Sequence, residues 1–241
     1  MDKNIEWRSI LINASVPLIQ LDSENLPIAY ASGCLVSYKG KNLILSVFHA
    51  LRPNEIWSIQ SKFVPGRGTL TIPLGNMTYL KIIQLDEKKV DDVDFTFKII
   101  AEDVQAFYQE ISKEGCILKE TQRKITPLNC NIKPMLDYKY GFAGLRNNKL
   151  DGSVKNAELH TEIDLNYIKE DKDYYIFKCN AQYNGPDYYW GCSGAPIMDT
   201  FGNIVALLVA SENSFFYGLP FYKYQYALDI ECDGTLDEFT S

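Results

Sequence analysis

The sequence predicts an all-β protein, a sandwich or a pair of barrels, on three observations. Short runs rich in β-branched and aromatic residues recur along the whole chain, with turn residues between them roughly every 8–12 positions. Sixteen tyrosines and twelve phenylalanines in 241 residues favour strands over helices. Only the segment 102–115 carries a helical pattern, with Val104, Phe107, Tyr108 and Ile111 at helical spacing and Gly115 closing it. That helix is expected to connect two β-rich halves, 1–101 and 116–241, within one unit.

In the first half, residues 10–12, 16–21 and 28–30 read as short strands separated by polar turns. Residues 31–38 and 43–48 form a hairpin about Lys39-Gly40-Lys41-Asn42, and His49 stands where its second strand hands over to a loop. Further strands fall at 57–59, 70–74 and 79–83, with turns at Gly66-Arg67-Gly68 and Gly75-Asn76. Asp91-Asp92-Val93-Asp94 leads into an alternating strand through Phe95, Phe97 and Ile99, placing Asp94 at its mouth. In the second half, strands are expected near 116–118, 138–142, 159–165, 174–179, 197–198, 204–210 and 224–230, with turns at Asn147-Asn148 and Phe201-Gly202-Asn203. His160, mid-strand between Glu158 and Glu162, reads as an ordinary surface residue.

Composition excludes several classes. Hydrophobic residues at 46% and charged residues at 23% fit a globular protein with a sizeable core. A net charge of −7, with Lys39, Lys41 and the Lys88-Lys89 pair offset by nearby acids, argues against a nucleic-acid partner. The longest uncharged apolar run, 204–210, is far too short to cross a membrane, and no basic, then apolar, leader opens the sequence. Six cysteines without a CxxC spacing argue against zinc and for free thiols in a reducing compartment, so a cytoplasmic location is expected. Neither a metal nor a cofactor is expected.

The stretch with the clearest chemistry is Trp190-Gly191-Cys192-Ser193-Gly194-Ala195-Pro196. Glycine before the serine lets the backbone turn its amides toward one point, and glycine after it leaves room above the hydroxyl. Such a turn suits a nucleophile beside an oxyanion hole, although a glycine-rich hairpin loop has the same composition.

Taken together and in chain order, Gly33-Cys34-Leu35-Val36, Leu45-Ser46-Val47-Phe48-His49-Ala50, Val93-Asp94-Phe95-Thr96-Phe97 and this last stretch resemble the chymotrypsin-like serine proteases. The similarity is greatest to the high-temperature-requirement branch, through residues 191–210, Tyr140-Gly141-Phe142 and Tyr226-Ala227-Leu228, without the PDZ domain common there. The resemblance implies two packed six-stranded antiparallel β-barrels, one carrying His49 and Asp94, the other Ser193. It implies that Ser193 is the nucleophile, His49 the general base, Asp94 the residue that orients the imidazole, and the amides of Gly191 and Ser193 the oxyanion hole. The implied substrate is a peptide or protein, cleaved through an acyl-enzyme, with control by a partner protein one possible arrangement.

Cys192 stands where the digestive enzymes carry an aspartate that pairs with a freed N-terminus, so activation by N-terminal cleavage is not expected. Asp187 lies at the offset where trypsin-like enzymes place the carboxylate that selects lysine or arginine, but Gly185-Pro186-Asp187 reads equally as a surface turn. A catalytically silent relative that binds a peptide or a partner is the alternative function, since Tyr188, Tyr189 and Trp190 crowd the entrance.

Overall fold

The computed structural model describes residues 3–84, 89–147 and 157–233. The chain opens with helix α1 (Lys3–Ala14) and then builds strands β1 (Ser15–Leu21), β2 (Pro27–Tyr38), β3 (Lys41–Ser46), β4 (Trp57–Val64), β5 (Gly68–Pro73), β6 (Thr78–Gln84) and β7 (Lys89–Ile100). Strands β8 (Phe107–Ile111), β9 (Ile117–Gln122) and the short β10 (Thr126–Pro127) follow. The second half holds β11 (Lys139–Asn147), β12 (Ala157–Asp171), β13 (Tyr174–Lys178), β14 (Pro196–Asp199), β15 (Ile204–Glu212) and β16 (Phe215–Pro220), and ends in helix α2 (Gln225–Asp233). Of the two turn residues expected at Asn147-Asn148, Asn148 lies outside the described residues.

The first sheet runs β5-β4-β1-β2-β3-β7-β6, with β10 added in parallel to β2; the second is a closed barrel, β11-β12-β13-β16-β15-β14. The period-2 alternation of side chains assigns each strand's residues to two cores. On β3, Ile44 points into the first barrel with Val16, Leu18, Leu35 and Ile59, while Leu43 and Leu45 face the other way. There they meet Phe95 and Phe97 of β7 and Leu207 and Leu219 of the second barrel, so one continuous apolar layer glues the barrels together. On β15, Leu207 joins that layer while Ala206 and Leu208 fill the second barrel with Phe142, Phe177 and Phe216. The all-β double-barrel fold expected from the sequence is observed, with the second barrel closed by six strands as expected and the first built on a sheet of eight rather than six.

Three local expectations are corrected. Residues 102–115 contain no helix: β8 and β9 form a hairpin, paired from Phe107 opposite Gln122 to Glu110 opposite Lys119, with a one-residue shift before Ile111 opposite Ile117. Its turn is held by Ser112, whose amide donates to the Cys116 carbonyl at 2.8 Å and whose Oγ accepts the amides of Glu114 and Cys116 at 3.2 Å each. Gln109 on β8 pairs with both main-chain groups of Phe63 on β4, docking the hairpin on the first sheet. The strands of the second barrel therefore begin only at Lys139.

The second correction is α1, where residues 10–12 were expected to be a strand. Trp7, Leu11 and Ala14, spaced by four and three, are all buried in the inter-barrel layer. Buried Arg123 donates to the carbonyls of Ile12 and Ser15 where α1 hands over to β1, and that burial lowers its pKa to about 10. The third is α2, which replaces the expected strand at 224–230. Leu228 and Cys232 lie one turn apart and enter the same apolar layer. Asp229 accepts from Tyr38 Oη at 2.7 Å and pairs with Lys39, so the last helix straps back onto the first barrel.

Candidate active site

Each of the three residues singled out by the sequence comes from a different part of the fold. His49 stands in the turn that ends β3, with the amides of Ala50 and Leu51 both donating to the Val47 carbonyl at 3.2 Å. Asp94 lies within β7, the neighbour of β3, so the two arrive side by side through sheet pairing. Ser193 comes from the second barrel, in the loop before β14.

The structure brings them together. Asp94 accepts from the His49 main-chain amide at 2.9 Å, and both its oxygens lie 2.9 Å from His49 Nδ1. A carboxylate on that side fixes the proton on Nδ1 and leaves the Nε2 lone pair facing outward. Nε2 is 3.0 Å from Ser193 Oγ. Ser193 Oγ is also 3.2 Å from the Val209 carbonyl, so the hydroxyl proton has two acceptors. His49 keeps 42% of its side-chain surface exposed, which leaves the histidine and serine reachable from solvent.

The loop around Ser193 uses its backbone donors unequally. The amides of Cys192, Gly194 and Ala195 donate to Tyr189, Leu208 and Cys192 carbonyls at 2.8–2.9 Å. The amides of Gly191 and Ser193 donate to no protein group among the described residues. Two unpaired amides flanking one residue are the donors an oxyanion needs. Gly191 has φ +92°, a conformation that disfavours any residue with a Cβ. A cleft of about 360 Å³ opens beside them, lined among others by Tyr30, His49, Tyr189, Trp190, Ser193 and Ser211.

Asp187 does not reach this cleft. It is exposed on a single 3-10 turn, Pro186–Tyr189, while Pro186 and Tyr189 take the cleft wall. The surface-turn reading of this segment is the one observed. The Tyr189 hydroxyl donates to buried Glu162 at 3.1 Å, and its ring packs between Tyr183, stacked at 5.6 Å, and Phe216, edge-on at 4.9 Å. Burial, with Glu162 adding to it, pushes the Tyr189 phenol well above its ordinary pKa. His160 is half-buried rather than an ordinary surface residue: its ring meets Tyr188 and Tyr189 edge-on at 5.2 and 5.6 Å, and Nε2 lies 3.3 Å from Glu162. The alternation of β12, which turns His160 and Glu162 to one face, was the signal available for this pair.

Cys192 is fully buried in the core of the second barrel, and burial raises its thiol pKa far above the ordinary value. It is no thiolate nucleophile and offers no carboxylate to a new N-terminus. Any hydrolysis at this site is therefore expected from the untrimmed chain in excess reductant, and is checked by assaying protein whose first residue is verified by mass as Met1. A requirement for removing the first residues would contradict this.

No protein-family model matches the sequence, and no curated protein matches it. Solved structures do. Human heparin binding protein superposes with a TM-score of 0.57 at 10% identity, covering 92% of each chain. Deg5 matches with a TM-score of 0.51 at 11% identity over 95% of this chain and 94% of that one. A serine endoprotease from Yersinia pestis matches with a TM-score of 0.50 at 13% identity, over 95% of this chain and 66% of that one. The chain thus has the chymotrypsin-like serine protease fold. The likeness is one of architecture, and the chemistry rests on the residues of this chain.

Proposed function

We propose that the protein is a serine endopeptidase. The observation that carries this reading is the unbroken hydrogen-bond chain from Asp94 through His49 to Ser193, whose last two members are 144 residues apart. His49 Nε2 takes the Ser193 proton as Oγ bonds to the scissile carbonyl carbon. The carbonyl oxygen, now an anion, is held by the amides of Gly191 and Ser193. His49 then hands its proton to the amine nitrogen as the C–N bond breaks, leaving an ester on Ser193. Water, deprotonated by His49, attacks that ester; the acid leaves and Oγ regains its proton. Asp94 stays ionised throughout, keeping the imidazole in the required tautomer and stabilising it when charged.

A fluorophosphonate probe tests this reading, because it bonds only to an activated serine. Stoichiometric labelling that maps to Ser193 is the expected result. Intact protein that stays unlabelled would favour the second reading, a silent fold that binds a peptide or partner. That reading draws on the heparin binding protein, which by name binds heparin on the same fold. A net charge of −7 makes a polyanion the wrong ligand for this chain, so its silent form would be a peptide binder.

The first substrate pocket is read as one for an uncharged side chain, since Tyr189, Trp190, Leu208 and Val209 wall it and Asp187 stays outside. Profiling cuts in a proteome-derived peptide library is expected to show no enrichment of lysine or arginine before the cut, and Asp187→Ser is expected to leave the profile unchanged. Enrichment of basic residues that vanishes in Asp187→Ser would overturn this. A cytoplasmic setting is part of the proposal, supported by six cysteines that are all free thiols.

A further inference from the structure

We infer that Ser32, on β2 of the first barrel, is a positioning residue that clamps the oxyanion loop of the second barrel; this rests on the peptidase reading. Ser32 is fully buried. Its Oγ donates to the Gly191 carbonyl at 2.7 Å and accepts the Leu145 amide of β11 at 2.8 Å. Its own amide donates to the Ser193 carbonyl at 3.1 Å. Its carbonyl accepts from Ser46 Oγ, also fully buried, at 2.8 Å. Every polar group of this one residue is thereby used.

The placement matters more than the number of bonds. The Gly191 carbonyl belongs to the peptide joining 191 to 192, and the Ser193 carbonyl to the peptide joining 193 to 194. Holding both fixes the backbone on either side of the 192–193 peptide, whose N–H is the Ser193 amide. It also fixes the residue that carries the other unpaired amide. An oxyanion hole accelerates a reaction only if its donors are aimed before the charge develops. Glycine elsewhere in the loop permits the required turn but does not hold it. Ser32 holds it, from the opposite barrel, with a hydroxyl small enough to donate and accept in a sealed space. The loop presses so closely on this clamp that a Cβ on Gly194 would lie 2.1 Å from the Ser32 carbonyl oxygen.

The test compares wild type, Ser32→Ala and Ser32→Cys, the last replacing the hydroxyl by a somewhat larger and weaker donor. In Ser32→Ala, kcat is expected to fall about 10- to 100-fold with KM within about twofold, because the loss falls on the transition state. Affinity for a peptidyl boronate, which mimics the tetrahedral intermediate, is expected to drop by the same factor as kcat/KM, with Ser32→Cys intermediate. Wild-type kcat in folded Ser32→Ala, or a loss confined to KM, would overturn the clamp. If Ser32→Ala shows no melting transition, Ser32→Cys decides on the same criteria. The amide NMR resonances of Gly191 and Ser193 separate this inference from the reading beneath it. They are expected to shift or broaden in the Ser32 variants irrespective of hydrolysis, and unchanged resonances overturn the clamp. Hydrolysis that persists in Ser193→Ala instead overturns the peptidase reading alone.

Discussion

Ser193→Ala is expected to lower peptide turnover by about 10⁴-fold or more while the melting curve stays in place. The hydroxyl sits at the cleft, 3.0 Å from His49 Nε2, and its removal opens no cavity in the core. His49→Ala is expected to lose about as much, since a nucleophile without its base and a base without its nucleophile are equally idle. The double variant is expected to lose no more than either single one. Turnover of a casein-derived peptide set, measured beside a thermal melt of each variant, checks all three. Comparable turnover in Ser193→Ala would mean that the hydrolysis comes from elsewhere.

Gly194→Ala is expected to be strongly destabilising as well as damaging to the site. Gly194 has φ +87°, and an added Cβ would lie 2.1 Å from the Ser32 carbonyl oxygen and 2.2 Å from Ser46 Oγ. The left-handed backbone alone costs an alanine about 1–2 kcal/mol. The clash with a main-chain carbonyl cannot be relieved by a side-chain rotation, so a total near 3 kcal/mol or more is expected. For a chain of this size that lowers Tm by about 6–12 °C. Activity is expected to fall further than stability, because the loop must leave Ser32 to make room and carries Ser193 with it. Thermal melts and turnover of the two alanine variants at 193 and 194 distinguish the effects: Ser193→Ala loses activity alone, Gly194→Ala loses both.

Much of the site was legible because its chemistry lies in local motifs. A glycine-flanked serine, a histidine at the end of an apolar strand and an aspartate against alternating phenylalanines are each visible within a few residues. The parts that were not legible depend on contacts distant in sequence. Ser32 is one polar residue in an apolar strand, and its partners Leu145 and Gly191 lie 113 and 159 residues away. Asp187 was placed by counting along the chain, and the count says nothing of which way the Pro186–Tyr189 turn points its side chains. The 102–115 segment shows how a local pattern fails. Val104, Phe107, Tyr108 and Ile111 fit a helical face, yet Phe107–Ile111 finds a strand partner in Ile117–Gln122 and a docking site for Gln109 on Phe63. Tertiary pairing outweighed the local spacing there. At α1 the error ran the other way: three adjacent apolar residues looked like a strand, while the Trp7, Leu11 and Ala14 spacing carried the helix.

A serine peptidase of this kind must carry an acyl group on Ser193 during turnover. Rapid mixing with a slowly deacylating ester, acid quench and intact-protein mass spectrometry measure this directly. The prediction is one acyl adduct per chain, mapping to Ser193, formed in a burst by wild type and absent from Ser193→Ala and His49→Ala. Hydrolysis by wild type with no adduct on Ser193, or an adduct that forms equally fast without His49, would contradict it.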